Sequence, residues 1–344
     1  TPRYGGHWIA QSHEAIFEIT HDHATFSSEF PGRMMLPIGI DPPKHTHYRT
    51  ALLQVFSPKY VQALMPMIRQ LAVELIDKVA AKGHCEFVKE IAEPLPVIVF
   101  MKLLGLPLEM LVPLRASIVE ALVEGDPDKR DLIFDRQLEM LDPIIHARME
   151  KPEDDVISRI LAAEFDGRKA TMAELQSYLL LLTNAGLDTV VNALSFDAMH
   201  LARDSAFQDQ LRADRKLIPR MVEELLRRYA VSSVARRVTR DVEFRGVSLR
   251  AGDRVHLLLP AANLDGKVYA EPDQVMLNRR SAPVTFGTGI HRCLGSHLAR
   301  LELCVLFEEW LDRIPTFRLD PAHPPKIHAG MVYTVDSLNL AWDA

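Results

Sequence analysis

Hydrophobic and polar positions along most of the chain repeat with a helical period. Residues 58–83 (PKYVQALMPMIRQLAVELIDKVAAKG) carry apolar side chains at that spacing and stop at Gly83, which predicts one helix. Residues 171–204 open on Thr171 with Glu174 three positions on, a capping box. Their middle is apolar on nearly every side, as suits a helix buried through the centre of a protein. Residues 218–230 predict another helix. Strand signals are fewer. Residues 242–259 hold two short runs joined by turn residues at Gly246 and Ala251-Gly252, and residues 332–343 are a second candidate. Proline pairs at 42–43 and 324–325 mark loops. The expected class is mainly α with a minor β region. Strand and helix do not alternate, which argues against a Rossmann fold, and there is no Walker-type phosphate loop. With no Ser/Gly linker, low-complexity block or repeat, a single large domain spanning 1–344 is expected.

Composition narrows the setting. The chain has 344 residues, 48% hydrophobic and 25% charged, ordinary for a globular protein with a large core. A net charge of -6 argues against nucleic acid as a partner. The longest apolar run, residues 179–196, is broken by Asn184, Asp188 and Asn192. It therefore falls short of the roughly 18 to 20 apolar residues of a membrane span, and no membrane association is expected. Cys85, Cys293 and Cys304 are too few for a disulfide scaffold. Their odd number suits a reducing, cytoplasmic location. No signal peptide is visible, although the chain starts at Thr1 without Met.

Chemistry concentrates in Phe286–Leu303, FGTGIHRCLGSHLARLEL. Gly287, Gly289 and Gly295 flank Cys293, and a helix is expected to begin near Leu294. Glycines let backbone approach a flat, bulky group and adopt positive φ. N–H groups at a helix start stabilise a thiolate, which is a strong ligand for soft metals. Two other readings stand beside this one. Cys293 could sit in a capping loop without chemistry, or join His291 and His297 at zinc. The second lacks the paired spacing of a structural zinc site.

Phe286, Gly289, His291, Cys293 and Gly295 resemble the haem-binding signature of the cytochrome P450 family, Phe-x-x-Gly-x-His/Arg-x-Cys-x-Gly. Further segments, in the right order, resemble it too. Glu224-Leu-Leu-Arg227 is similar to the family's Glu-x-x-Arg ion pair, and Ala185-Gly186-Leu187-Asp188-Thr189 to its oxygen-binding stretch. Asp41-Pro-Pro-Lys-His45-Thr-His-Tyr-Arg49 looks like the helix opening beside the haem, and Ala262–Asp265 with Pro272-Asp273…Arg279 like its structural meander. Gly5–Ile9, Phe26–Glu29 and Trp310–Pro315 resemble the bacterial camphor-hydroxylating branch. The resemblance implies a P450 fold with haem b between the long central helix and the cysteine loop. The chain is shorter than family members usually are, so an N-terminal segment is expected to be missing.

The same resemblance assigns roles. Cys293 is the iron ligand. Thr285, Phe286, Gly287 and Gly295 belong to the haem cradle, and His45, Arg49, Arg236 and His291 meet the propionates. Small residues at Ala185 and Gly186 leave room for dioxygen. Thr189 hydrogen-bonds the oxygen being reduced and Asp188 relays protons to it. The implied reaction is monooxygenation with O2 and electrons from NAD(P)H, delivered by a flavin-dependent ferredoxin reductase through a two-iron ferredoxin. That partner would meet a basic face made of Lys44, His45, His47, Arg49, Arg292 and Arg300. Segment 30–37 is shorter than in the camphor enzyme and has no tyrosine to hydrogen-bond a ketone, while Asn184 replaces an aliphatic residue. A different small apolar substrate, terpenoid or norisoprenoid in size, is therefore expected. Candidate contacts are Met35, Leu181, Asn184, Ala185, Thr189, Val231, Ser232, Met331 and Val332. The alternatives are a haem-thiolate peroxygenase, for which the Asp188-Thr189 pair is dispensable, and a non-catalytic haem-binding sensor. Cys85 and Cys304 are expected to be apolar fillers.

Overall fold

The structure is a computed structural model and describes residues 1–2, 6–53, 55–165, 167–280 and 283–343. Gly5, at the head of one matched segment, lies outside the described residues. The fold is mainly helical with small sheets, as the periodicity predicts. Its first half carries α1 (His13–His21), α2 (Lys44–Leu53), α3 (Pro58–Ala63), α4 (Met65–Ala80), α5 (Pro94–Leu104), α6 (Leu111–Val123), α7 (Pro127–Glu150) and α8 (Val156–Ala162). Then come α9 (Met172–Gly186), α10 (Thr189–Leu201), α11 (Ser205–Ala213), α12 (Ile218–Arg228), the short α13 (Leu259–Ala262) and α14 (Ser296–Arg313).

The strands β1 (Trp8–Ala10) and β2 (Phe26–Ser27) flank a four-stranded sheet, completed by β6 (Val234–Val238) and β9 (Arg254–Leu257) in the order β1-β9-β6-β2. Strand β3 (His84–Glu86) joins β10 (Phe317–Leu319) and β13 (Asn339–Trp342) in a second sheet. Hairpins β4–β5 (Glu164–Phe165, Arg168–Lys169), β7–β8 (Val242–Phe244, Val247–Leu249) and β11–β12 (Lys326–His328, Thr334–Ser337) complete the set.

Three expected elements are subdivided. Residues 58–83 form two helices, because Pro66 at the start of α4 has no N–H to continue α3. Residues 242–259 hold three strands rather than two runs, separated at Gly246 (φ 80°) and Gly252 (φ 94°). The helix expected over 171–204 is α9 followed by α10, with Leu187 and Asp188 outside both. Its capping box is present, with Glu174 N–H donating to Thr171 Oγ1 at 3.3 Å and Thr171 N–H to Glu174 Oε2 at 2.7 Å.

By length and composition Met172–Leu201 would suffice to cross a membrane, but most of it is buried inside the protein. Its side chains join the largest apolar cluster, which runs from Leu36 to Trp342. A smaller cluster joins α1 to the first sheet. A third groups Ala121, Ile133, Phe134 and Leu180 where α6, α7 and α9 meet. Cys85 is buried and Cys304 half-buried, as fillers should be.

Candidate active site

The cysteine loop is anchored before it begins. Asn263 accepts the Val284 N–H at 2.8 Å and donates to the Thr285 hydroxyl at 2.7 Å. Thr285 in turn donates to the Leu226 carbonyl at 2.7 Å. Its hydroxyl is thereby committed to holding the loop on α12, so Thr285 anchors the cradle and has no donor left for a cofactor. Behind it lies a brace. Arg227, fully buried, donates twice to Glu224 and once each to the carbonyls of Asn263, Pro272 and Gln274. Arg279 meets Glu224 from the other side at 2.9 Å.

Gly287 and Gly289 have φ of 68° and 70°, which only glycine adopts without strain. A Cβ at Gly289 would also stand 2.2 Å from the Thr20 carbonyl oxygen. The chain then turns so that Cys293 N–H donates to Phe286 O at 2.8 Å. Helix α14 starts at Ser296, two residues later than expected. The Cys293 side chain is exposed, yet enough protein surrounds it that desolvation raises its pKa. The Gly295 N–H and the guanidinium groups of Arg49, Arg300 and Arg292 pull the other way.

Beside the thiol is a cluster rich in cations. The rings of His45 and His291 lie 4.4 Å apart, and the Nε2 of each is buried without a hydrogen-bond partner. Burial, then Arg236, His45 and Arg49, push the His291 pKa down to about 3. Burial and Arg49 bring His45 to about 4. Arg236 is buried and its pKa is lowered by desolvation, with Asp41 opposing. His23, which the sequence did not single out, faces both histidines. Asp41 is the acid among them, its carboxylate 3.9 Å from His291 Nε2. A second anionic group with two carboxylates would answer the orphaned donors.

Among the described residues no three His, Cys, Asp or Glu side chains assemble into a metal-holding group. The zinc set of His291, Cys293 and His297 is therefore not formed. One accessible thiol beside a carboxylate-seeking cluster fits haem b, which would need a single protein sulfur for its iron and partners for its two propionates.

The opposite wall is the break between α9 and α10. Gly186 and Asp188 both disfavour a helix interior. Ala185 is exposed there, and the Thr189 hydroxyl reaches the Ala185 carbonyl at 3.4 Å, the long limit of a hydrogen bond. Gly186 also has a packing role. A Cβ on it would meet the Phe100 ring at 2.4 Å, so its small size serves the approach of α5 to α9. Asp188 has a raised pKa from burial, opposed by Arg115, His328 and Asn192. Arg115 Nη2 lies 3.9 Å from its carboxylate and also pairs with Glu93. Asn192 donates to the Asp188 carbonyl at 3.0 Å. No motif in the sequence marked Arg115 or Phe100, since only folding brings α6 and α5 to this break.

Of the expected substrate contacts, Val231, Ser232, Met331 and Val332 come together. Ser232 and Val332 form an isolated antiparallel bridge, and Tyr333 N–H donates to Val231 O at 2.7 Å. Val231 is buried and Met331 exposed. Met35 packs against the cluster at Leu180, and Leu181 is half-buried on α9. Asn184 binds Gln137 of α7. On the proposed partner side Lys44, His47 and Arg292 are exposed. Arg300 is committed elsewhere, stacked 4.5 Å over the Phe286 ring and paired with Glu223.

A family model described as cytochrome P450 matches residues 126–333. "Probable cytochrome P450 127A1" of Sinorhizobium fredii is 34% identical, with 98% of this chain and 84% of the relative covered. A steroid C26-monooxygenase of Mycolicibacterium smegmatis is 33% identical over 97% of this chain and 87% of its own length. Among solved structures, that of CYP101J2 superposes with a TM-score of 0.92 at 36% identity, covering all of this chain and 89% of that one.

Proposed function

Because the chain belongs to the cytochrome P450 family, and so is a haem b monooxygenase fed with electrons from NAD(P)H through partner proteins, we propose that it hydroxylates a small, largely apolar molecule of terpenoid or norisoprenoid size. In this reading a two-iron ferredoxin and its flavin-dependent reductase deliver the electrons in the cytoplasm. The whole chain, 1–344, acts as one catalytic domain. The observation that carries the reading is the break at Leu187–Asp188, which sets a half-buried acid and a loosely held hydroxyl side by side.

Haem b would supply redox-active iron for oxygen activation, and Cys293 would hold that iron as an electron-rich thiolate. Arg49, Arg236, His45 and His291 would hold the two propionates, with Arg forks matched to carboxylates. Phe286, Gly287 and Gly295 shape the loop against the macrocycle.

On the other wall, burial keeps the Asp188 carboxyl protonated to higher pH than usual, while Arg115 and Asn192 keep it in place. A carboxyl so placed can take a proton from the solvent side and pass it inward. Thr189 can receive it, because its own bond to Ala185 O is long and the hydroxyl is free to turn. Exposed Ala185 leaves that face of α9 open. Met35, Leu181, Val231 and Val332 supply apolar surface for the substrate, and Ser232 and Met331 border it. The exposed Lys44, His47 and Arg292 supply a small basic face, which suits steering an acidic ferredoxin to an acidic protein.

The test starts from the purified holoprotein reduced under carbon monoxide. The strongly red-shifted Soret band of a thiolate-ligated carbonyl is expected, and Cys293→Ser should lack it. Reconstituted with ferredoxin and reductase, the protein should convert a terpenoid to its alcohol. Thr189→Ala should keep consuming NADH while product per NADH falls about tenfold or more and peroxide rises. Unchanged coupling in Thr189→Ala would remove that hydroxyl from the mechanism. The absence of the shifted band would defeat Cys293 ligation.

A further inference from the structure

Asn184 stands one turn before Asp188, on the α9 face that also carries Leu181 and Ala185. It is only partly buried. Its amide nitrogen makes two hydrogen bonds, to Gln137 Oε1 at 2.8 Å and to the Leu180 carbonyl at 2.8 Å. An amide nitrogen has two hydrogens, so both donors are used. Its carbonyl oxygen, Oδ1, has no partner among the described residues.

The orientation of this amide is fixed by chemistry. The Leu180 carbonyl can only accept a hydrogen bond, so the atom 2.8 Å away must be the nitrogen. Turning the amide over would set two carbonyl oxygens against each other. With the Asn184 nitrogen inward, Gln137 must present its own oxygen. That leaves Gln137 Nε2 buried and without a partner, on a residue with no exposed surface. The arrangement therefore holds Asn184 in one orientation while a buried donor nearby goes unanswered. Apolar side chains in both positions would have left no buried group unanswered.

We propose that Asn184 determines specificity as a pure hydrogen-bond acceptor, and that the substrate is an apolar skeleton bearing a hydroxyl group, whose O–H donates to Asn184 Oδ1. Gln137 is the positioning residue that holds the acceptor. The proposal deepens the reading above and rests on α9 lining the substrate site. It also makes a discrimination. A ketone or ether offers only acceptors, which Asn184 cannot satisfy, and segment 30–37 contains no tyrosine to serve them. Leu180, one turn before Asn184, sits in the third apolar cluster with Met35 packed against it, and a hydrogen bond beside so apolar a wall gains strength.

The test uses the CO-competent holoprotein and two carbon skeletons, each as alcohol, ketone and hydrocarbon: borneol, camphor and camphane, and menthol, menthone and p-menthane. Dissociation constants come from the substrate-induced spin-state shift of the oxidised protein, with isothermal calorimetry as a readout independent of the haem. On at least one skeleton the alcohol should bind about tenfold tighter than its ketone and its hydrocarbon, the equivalent of one hydrogen bond. Asn184→Leu should erase that preference while leaving hydrocarbon affinity within about twofold. Gln137→Leu should reduce it, by releasing the acceptor, with the carbonyl Soret band intact.

Equal affinity for the three forms overturns the proposal, as does an alcohol preference that survives Asn184→Leu. Failure of all six compounds to bind also overturns it, and an intact shifted Soret band in that case leaves the monooxygenase reading standing. Loss of that band in the parent protein defeats the underlying reading, and the proposal with it.

Discussion

The two walls of the site are built by opposite means. The wall behind the cysteine is a short contiguous loop, tied down by a buried ion set in which the Glu224 and Arg227 groups find partners. The wall across from it is a helix that stops and restarts. Its key groups, Asp188 and Thr189, are held by long contacts of 3.9 Å and 3.4 Å from residues on other turns or other helices. The difference follows from the work each wall must do. A metal ligand must be held in one place, and dense hydrogen bonding in a low dielectric does that. Proton transfer requires groups that turn, so their bonds must be weak enough to exchange.

The largest expected effect lies in the first wall. Arg227→Ala leaves the Glu224 carboxylate buried with Arg279 as its remaining cation, strands the carbonyls of Asn263 and Pro272, and leaves that of Gln274 with only the longer bond from Arg279 at 3.3 Å. Removing one partner of a buried ion pair costs about 3 to 5 kcal/mol. Denaturant unfolding of the haem-loaded protein should show that loss. Arg279→Gln, which spares the Glu224–Arg227 bonds, should cost clearly less and keep a folded protein for comparison. If Arg227→Ala costs under about 1 kcal/mol, the brace does not carry the stability of this wall.

This contrast also decides what could be read from the sequence. The cysteine loop was legible because its glycines, its cysteine and the following helix are neighbours in the chain, and the backbone conformations at Gly287 and Gly289 are local requirements. The capping box at Thr171 was legible for the same reason. The distal wall was only half legible. Asp188 and Thr189 stand out as polar residues in an apolar helix, but their partners arrive from α6, from β11 and, for the packing, from α5. Periodicity ran the helix straight through Leu187, because an apolar residue every third or fourth position does not report a break. Thr285 and Gly186 show the limit most clearly. Each sits inside a stretch with chemistry, and the sequence did not show that Thr285 also ties a loop to α12 or that Gly186 also makes room for a ring.

Gly186 gives the next prediction, intermediate in size and on the second wall. Alanine has the higher helix propensity, so local preference alone would make Gly186→Ala stabilising. The Phe100 ring, 2.4 Å from the new Cβ, reverses the sign, since overpacking a core costs about 1 to 3 kcal/mol. Thermal unfolding of the holoprotein should show a loss, and adding Phe100→Leu should return part of it. A Gly186→Ala protein as stable as its parent would mean that α5 does not press on the break. The distal wall would then owe its shape to Asp188 and Asn192 instead.

The smallest effect tests an exception on the first wall. Glu302, on α14 behind the cysteine loop, is a buried acid whose Oε1 has no partner, and burial raises its pKa to about 8. Here the fold holds a proton that the unfolded chain releases near pH 4.5, so the folded state is favoured at low pH. Its stability falls as pH rises from about 4.5 to about 8. Each pH unit inside that window costs at most about 1.4 kcal/mol. Glu302→Gln keeps the shape and removes the proton. Urea midpoints at pH 6 and pH 7 should therefore separate the two proteins by about 1 kcal/mol, with the parent losing more stability on the alkaline side. Asp197, also buried and raised by desolvation, titrates in both proteins, so the difference between them reads Glu302 alone. Parallel pH dependence would mean that Glu302 finds a partner in solution. One more buried group of the first wall would then be held by a partner, and the contrast with the second wall would be sharper still.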